Sequence, residues 1–135
     1  MAGLADTTVL ITVERRRGGL AEVFAAIPED VVAIASISAS ELMIGAIRAD
    51  SPERRALREA FAQAIFRGLT VLPFDLRSAH LHAEARVYLE SRGQMIGAYD
   101  LMVAATALAL GYTVYTDNLR EFRRVPGLVV SRPAW

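Results

Sequence analysis

The chain contains no cysteine, which removes disulfides, zinc-thiolate sites and thiol nucleophiles together. Any metal must then be held by oxygen, or by the two histidines His80 and His82. Lysine is absent as well, all 15 basic residues being arginine. That excludes Schiff-base chemistry and the Walker P-loop, and it weighs against phosphotransfer folds in which a lysine stands beside the reactive aspartate. No apolar run reaches the roughly 18 residues of a membrane span, and no segment has the form of a signal peptide, so a cytoplasmic protein with no membrane partner is expected. Net charge is zero. Bulk attraction to a polyanion is therefore missing, and a nucleic acid would have to be met by local patches.

What is present is a globular composition, 53% hydrophobic and 22% charged, in 135 residues that suit a single domain over 1–135. The chain is organised around Ile96 to Leu110, closed by Gly111. From Gly93 to Thr116 the only charged side chain is Asp100. It stands at the entrance to a run apolar on nearly every face, as expected of a helix buried in the core. An aspartate there has a plain use, capping the first turn, and a sharper one, as one of several carboxylates converging on a metal ion.

Elsewhere strand-like and helix-like segments alternate. Leu4 to Ile11 admits two readings: a short strand ending at Asp6, with Thr7 or Thr8 capping a helix that runs to Gly18-Gly19, or a longer strand with Asp6 in its middle. Arg15-Arg16-Arg17 follows. A short helix is expected over Leu20 to Ile27 and a strand over Val31 to Ala35. Ser38-Ala39-Ser40-Glu41 has the spacing of a capping box in front of Leu42 to Ile47. Helices are expected from Pro52 to Gly68 and from Leu76 to Arg92, the second capped by Asp75, with a strand over Leu69 to Pro73 between them. His80 and His82 are two residues apart on that second helix, point to different faces and cannot act as a helical metal pair. Tyr112 to Thr116 reads as a strand ended by Asp117-Asn118, Leu119 to Val125 as a short basic amphipathic segment, and Leu128 to Val130 as a last strand. Strands alternating with helices imply a doubly wound α/β fold, with a mostly parallel central sheet flanked by helices.

Asp6, Glu41, Asp100 and Asp117 then share one position, near a strand's C-terminal end or the start of the following helix, and in a parallel sheet such positions gather along one edge. Four separate caps would give the same pattern. Clustered carboxylates raise one another's pKa unless a cation neutralises them, and Mg²⁺ or Mn²⁺ is suited to an all-oxygen site.

The segments Asp6-Thr7-Thr8-Val9-Leu10-Ile11, Ser38 to Gly45 with Glu41-Leu42, Asp100 to Ala107, and Thr116 to Leu128 together resemble the PIN-domain ribonucleases, and among them the VapC-type toxins of toxin-antitoxin pairs. The resemblance spans nearly the whole chain in the family's order. It implies that Asp6, Glu41 and Asp100 are metal-binding acids, with a fourth polar ligand just after the Tyr112 to Thr116 strand and Thr116 supporting the site. Asn118 fits that ligand by spacing and Asp117 by charge. The family usually has Asn or Ser where Thr8 stands, so a hydroxyl is kept. The implied activity is Mg²⁺- or Mn²⁺-assisted hydrolysis of RNA that leaves a 5′ phosphate and a 3′ hydroxyl. Arg120, Arg123 and Arg124, with Arg15 to Arg17, are candidates for backbone phosphate contacts. The implied partners are a cognate antitoxin covering the acidic groove and a second copy in a homodimer, with DNA met only through the antitoxin. Two rivals are an aspartate phosphotransfer domain, disfavoured by the missing lysine, and a non-catalytic interaction module on the same fold.

Overall fold

The computed structural model describes all residues from Met1 to Trp135. Its first strand, β1 (Ala2–Ala5), is short because Asp6 ends it. Asp6 keeps extended backbone angles while its carboxylate accepts the amide of Thr7, so it is itself the N-cap of α1 (Thr7–Arg15). Of the two readings of this segment, the short strand is realised, with the cap at Asp6 and not at Thr7 or Thr8. Thr7, Val9, Leu10 and Val13 are the buried positions of α1, a helical and not an alternating set.

A second short helix, α2 (Leu20–Ala26), and the buried strand β2 (Val31–Ala35) follow as expected. The next helix, α3 (Ser36–Ile47), departs from expectation. It begins two residues before Ser38, and its N-cap position is Ala35, which has no side chain able to cap. The capping box of Ser38 and Glu41 is therefore not formed. Both residues lie inside the helix, which frees their side chains for contacts elsewhere. Ser51 caps α4 (Pro52–Gly68) by accepting the Arg54 amide at 3.1 Å. After β3 (Thr70–Leu72), Asp75 caps α5 (Leu76–Ser91) by accepting the Ser78 amide at 2.9 Å. The organising helix is α6 (Ala98–Leu110), ended by Gly111 at φ +71°, a left-handed position natural to glycine. Then come β4 (Thr113–Tyr115), the one-turn helix α7 (Leu119–Phe122) and β5 (Val130–Ser131). The last strand lies later than the Leu128 to Val130 expected, because pairing with β4 begins at Val130 opposite Val114.

The five strands form one parallel sheet in the order β3-β2-β1-β4-β5. From β1 the chain adds β2 and β3 on one side, then returns through α5 and α6 to place β4 and β5 on the other. The winding direction reverses between β1 and β4. The crevice beyond their C-terminal ends is where open α/β sheets hold ligands. Two apolar clusters cover the sheet's faces: one joins α1, α2, α3 and α4 through Val9, Val23, Leu42 and Ile65, the other joins α5, α6 and α7 through Leu89, Leu101 and Phe122. Gly3 lets these layers close on β1, since a β-carbon there would stand 2.7 Å from Ile27 and 3.0 Å from the Tyr115 ring. Inside α6, Leu101 and Val103 to Ala107 are all buried, so Asp100 is carried on a rigid element. No helix is long and apolar enough to cross a membrane.

Candidate active site

Asp6 and Thr116 meet at the β1–β4 reversal. Asp6 follows the last residue of β1 and Thr116 the last residue of β4, and the Asp6 amide donates to the Tyr115 carbonyl at 3.0 Å. The Asp6 side chain is only 2% exposed, and its oxygens are fully engaged. Oδ1 accepts from the Thr7 amide at 2.8 Å; Oδ2 accepts from Thr8 Oγ1 at 2.8 Å and from Thr116 Oγ1 at 2.9 Å. Three donors on one buried carboxylate fix its orientation. Thr116 is in turn set by Asn118, whose backbone N–H donates to Thr116 Oγ1 at 2.9 Å. Asn118 thus acts on the site through its main chain.

Glu41 is held by a chain of hydroxyls. Thr7 Oγ1 lies 2.7 Å from Glu41 Oε1 and 2.9 Å from Ser38 Oγ. A threonine hydroxyl has one proton. Given to the Glu41 carboxylate, it leaves the Thr7 oxygen to accept from Ser38, which is wholly buried. This is what the unformed capping box releases: Ser38 and Glu41, three residues apart on one face of α3, both turn toward α1. Burial pushes the Glu41 carboxyl up, the Thr7 hydrogen bond pulls it down, and the charge on Asp6 raises it further.

Asp100 sits in the first turn of α6, facing the same crevice. Its pKa is pushed up to about 7, first by burial and then by the negative charges of Asp6, Glu121 and Glu41; Glu121 is near enough to share its proton. The structure thus brings Asp6, Glu41 and Asp100 together and adds Glu121 on α7, which the sequence reading did not single out. Asp117 is not part of this group. It is exposed, and its Oδ1 accepts from the Trp135 indole Nε1 at 3.3 Å. The reason is the anchoring of α7: Leu119 and Phe122 are buried, and Glu121 on the same turn is left facing Asp100. Glu121 is the acid in the first turn of a helix that begins at Leu119, two positions beyond Asp117.

The remaining candidates lie outside this cluster. Arg120 on α7 and Arg123 at its C-cap are exposed, and Arg124 Nη1 donates to the Met95 carbonyl at 3.2 Å. His80 pairs with Glu84 at 2.9 Å and His82 stands edge-on to Phe74, both on α5 and away from the acids. The donor set in the crevice is carboxylate and hydroxyl oxygen only, the chemistry of a hard divalent cation. No three Asp, Glu or His side chains are arranged to grip an ion in this structure.

The PIN domain family matches this chain over residues 4–128. A tRNA(fMet)-specific endonuclease VapC from Salmonella typhimurium is 37% identical over 98 residues, 73% of this chain and 72% of that protein. A ribonuclease VapC from Rickettsia bellii is 32% identical over 130 residues, 96% of this chain and 95% of that protein. Among solved structures, DNA-bound VapBC from Salmonella typhimurium superposes with a TM-score of 0.82 at 32% identity, covering 98% of each chain. VapBC2 from Rickettsia felis, bound to a DNA fragment from its promoter, superposes at 0.81 with 26% identity, again over 98% of each. A match that runs from the first strand to the approach to the last, joined to a relative of almost equal length, places this chain in the PIN domain family, within its VapC group.

Proposed function

We propose that this chain is the ribonuclease toxin of a toxin-antitoxin pair, hydrolysing RNA phosphodiester bonds with Mg²⁺ or Mn²⁺ held among Asp6, Glu41, Asp100 and Glu121. Glu121 takes the place foreseen for Asp117 or Asn118. The observation that carries this reading is geometric: at the sheet's reversal point Asp6 is buried and locked by Thr7, Thr8 and Thr116, and Glu41 is tied to the same helix through Thr7. Asp100 faces the same group, and burial with the charges of Asp6, Glu121 and Glu41 pushes its carboxyl up to about 7. Such repulsion is what a divalent cation relieves. It also marks a functional crevice better than a set of independent caps, which would lower carboxylate pKa values.

When bound, the cation supplies charge neutralisation and Lewis-acid polarisation of the phosphoryl oxygen. The protein's own groups do the positioning. Thr8, Thr116 and the Thr7 amide lock both Asp6 oxygens, so the buried anion cannot swing away as substrate enters. The Ser38–Thr7 relay holds Glu41 across from it. Asp100, on the end of a rigid buried helix, holds a proton near neutral pH that it gives up when the site is neutralised. Attack by water on phosphorus with departure of the 3′ oxygen leaves a 5′ phosphate and a 3′ hydroxyl.

Both solved structures compared above are VapBC complexes bound to DNA. By that analogy this chain pairs with a cognate antitoxin covering the acidic crevice, forms a homodimer, meets DNA only through the antitoxin, and acts in the cytoplasm. Arg120 and Arg123, exposed beside Glu121, are positioned to meet the RNA backbone. The test is cleavage of labelled transfer RNA by purified protein with Mn²⁺, with Mg²⁺ and with chelator, comparing wild type and Asp100→Asn. Metal-dependent cutting that is lost in the folded variant supports the proposal. No cutting of transfer or ribosomal RNA, with no thermal response to metal, leaves a binding module instead.

A further inference from the structure

A cleft of about 760 Å³ lies where the C-terminal end of α1 meets the first half of α4. Four arginines line it, Arg15, Arg17, Arg54 and Arg58, against a single carboxylate, Glu14, with Phe61 in its apolar part. In a chain of zero net charge this is a marked local excess of positive charge. Arg54 is occupied by Asp50, donating to both carboxylate oxygens at 2.9 and 2.8 Å, and Arg58 donates to the Gly45 carbonyl at 2.9 Å. Arg15 and Arg17 are exposed and form no ion pair.

Arg17 carries a second signal. It has φ +57°, the only non-glycine residue with a positive φ. Its amide bonds the Glu14 carbonyl while the Gly18 amide reaches back to the Val13 carbonyl, each at 2.9 Å, the helix ending in which glycine normally fills this position. Two glycines follow at once, yet the strained position carries an arginine. A costly backbone conformation retained with a long charged side chain points to a use for that side chain.

The cleft lies at the C-terminal end of the helix that Asp6 caps at its N-terminus, about 13 Å along α1 from the acidic crevice. Arg16 packs over the Trp135 ring at 4.9 Å, and the same indole donates to Asp117, which follows the Thr116 that holds Asp6. One indole therefore spans from the crevice edge to the arginine triplet. On the opposite layer, Arg120 on α7 and Arg123 just after it are exposed next to Glu121 in the chain. We infer that the α1–α4 cleft is a second phosphate-binding site for the RNA substrate, gripping its backbone a short run of nucleotides from the scissile bond. This rests on the ribonuclease reading. RNA is favoured over an acidic protein segment because the crevice at the other end of α1 gathers Asp6, Glu41, Asp100 and Glu121, which repel a polyanion, so productive binding needs cations beyond the crevice itself. Guanidinium groups suit the task, pairing two donors with phosphate oxygens.

The experiment compares Arg15→Gln/Arg17→Gln with its parent, both carrying Asp100→Asn to prevent cutting, in binding to labelled transfer RNA and to a trinucleotide. Affinity for transfer RNA should fall about tenfold near physiological salt, and the slope of log affinity against log salt should become shallower by about 1.4, two phosphates at roughly 0.7 each. Trinucleotide binding should not change. Arg17→Gly alone should raise the melting temperature by about 3 °C while still weakening transfer RNA binding, an outcome that a purely structural role for Arg17 does not produce. Unchanged affinity and salt slope in the double variant overturn the inference. So does loss of antitoxin binding with RNA affinity intact, which assigns the cleft to a protein partner. If the parent itself neither binds nor, with Asp100 restored, cuts any RNA, the ribonuclease reading has failed, and this inference falls with it.

Discussion

Replacing Asp100 by Asn should make the metal-free protein more stable while abolishing its metal-dependent activity. The carboxyl is raised from an ordinary value of 3.8 to about 7 by burial and by Asp6, Glu121 and Glu41. At about 1.36 kcal/mol per pKa unit, holding it ionised in the fold would cost roughly 4 kcal/mol at face value. Asp100 is only partly buried, and solvent screening reduces this to about 2 kcal/mol. The sign follows from linkage. A carboxyl whose folded pKa lies above its unfolded one leaves stability intact below pH 3.8 and erodes it as pH rises through about 7. Asn cannot ionise, so the variant escapes that loss. The melting-temperature gap between Asp100→Asn and wild type should be small near pH 4, grow through neutrality and level off above about pH 8 at roughly 7 °C. Thermal denaturation followed by circular dichroism in chelator, across that range, measures it. Saturating Mg²⁺ should then raise the wild type and not the variant, narrowing the gap. A gap that is independent of pH, or a variant less stable than wild type at pH 8, would refute the reasoning that these acids repel one another in the folded protein.

Three further outcomes follow from the same geometry. Binding of Mg²⁺ or Mn²⁺ should release close to one proton at pH 6 and almost none at pH 8.5, because Asp100 must ionise to serve; calorimetry in buffers of different ionisation enthalpy reads this directly. Thr116→Val removes the hydroxyl that holds Asp6 Oδ2 and should cut metal affinity about 10- to 100-fold with little change in fold, as judged by metal titration of thermal stability. Glu121→Gln should weaken metal binding and RNA cleavage far more than Asp117→Asn, since Glu121 faces Asp100 and Asp117 faces Trp135; equal losses would return Asp117 to the site.

Much of this architecture is written locally. Ser51 before Pro52, Asp75 before Leu76 and Gly111 after Leu110 each mark a helix boundary through a backbone amide or a left-handed turn that needs only its neighbours, and each is found where the sequence places it. The segment after Asp6 was ambiguous because Thr7 to Val13 is β-branched and apolar enough for either a strand or a helix, and burial against α2 and α3 decided it. The spacing of Ser38 and Glu41 is ambiguous for a related reason. A three-residue spacing at a helix start is also one face of a helix already under way, and only the earlier start at Ser36 distinguishes them.

The sequence by itself determined the alternation of strand and helix, the buried helix carrying one acid, and the chemical limits on the site: no thiolate, no lysine, oxygen donors. Tertiary structure alone decided which acids meet. Asp6 and Thr116 are 110 residues apart and join only because β1 and β4 are paired at the sheet's reversal; Thr7 and Glu41 join because α1 and α3 pack on one layer. Glu121 and not Asp117 faces Asp100 because Leu119 and Phe122 anchor α7 in the core, and the direction in which a side chain then points is set by that packing and not by its position in the chain.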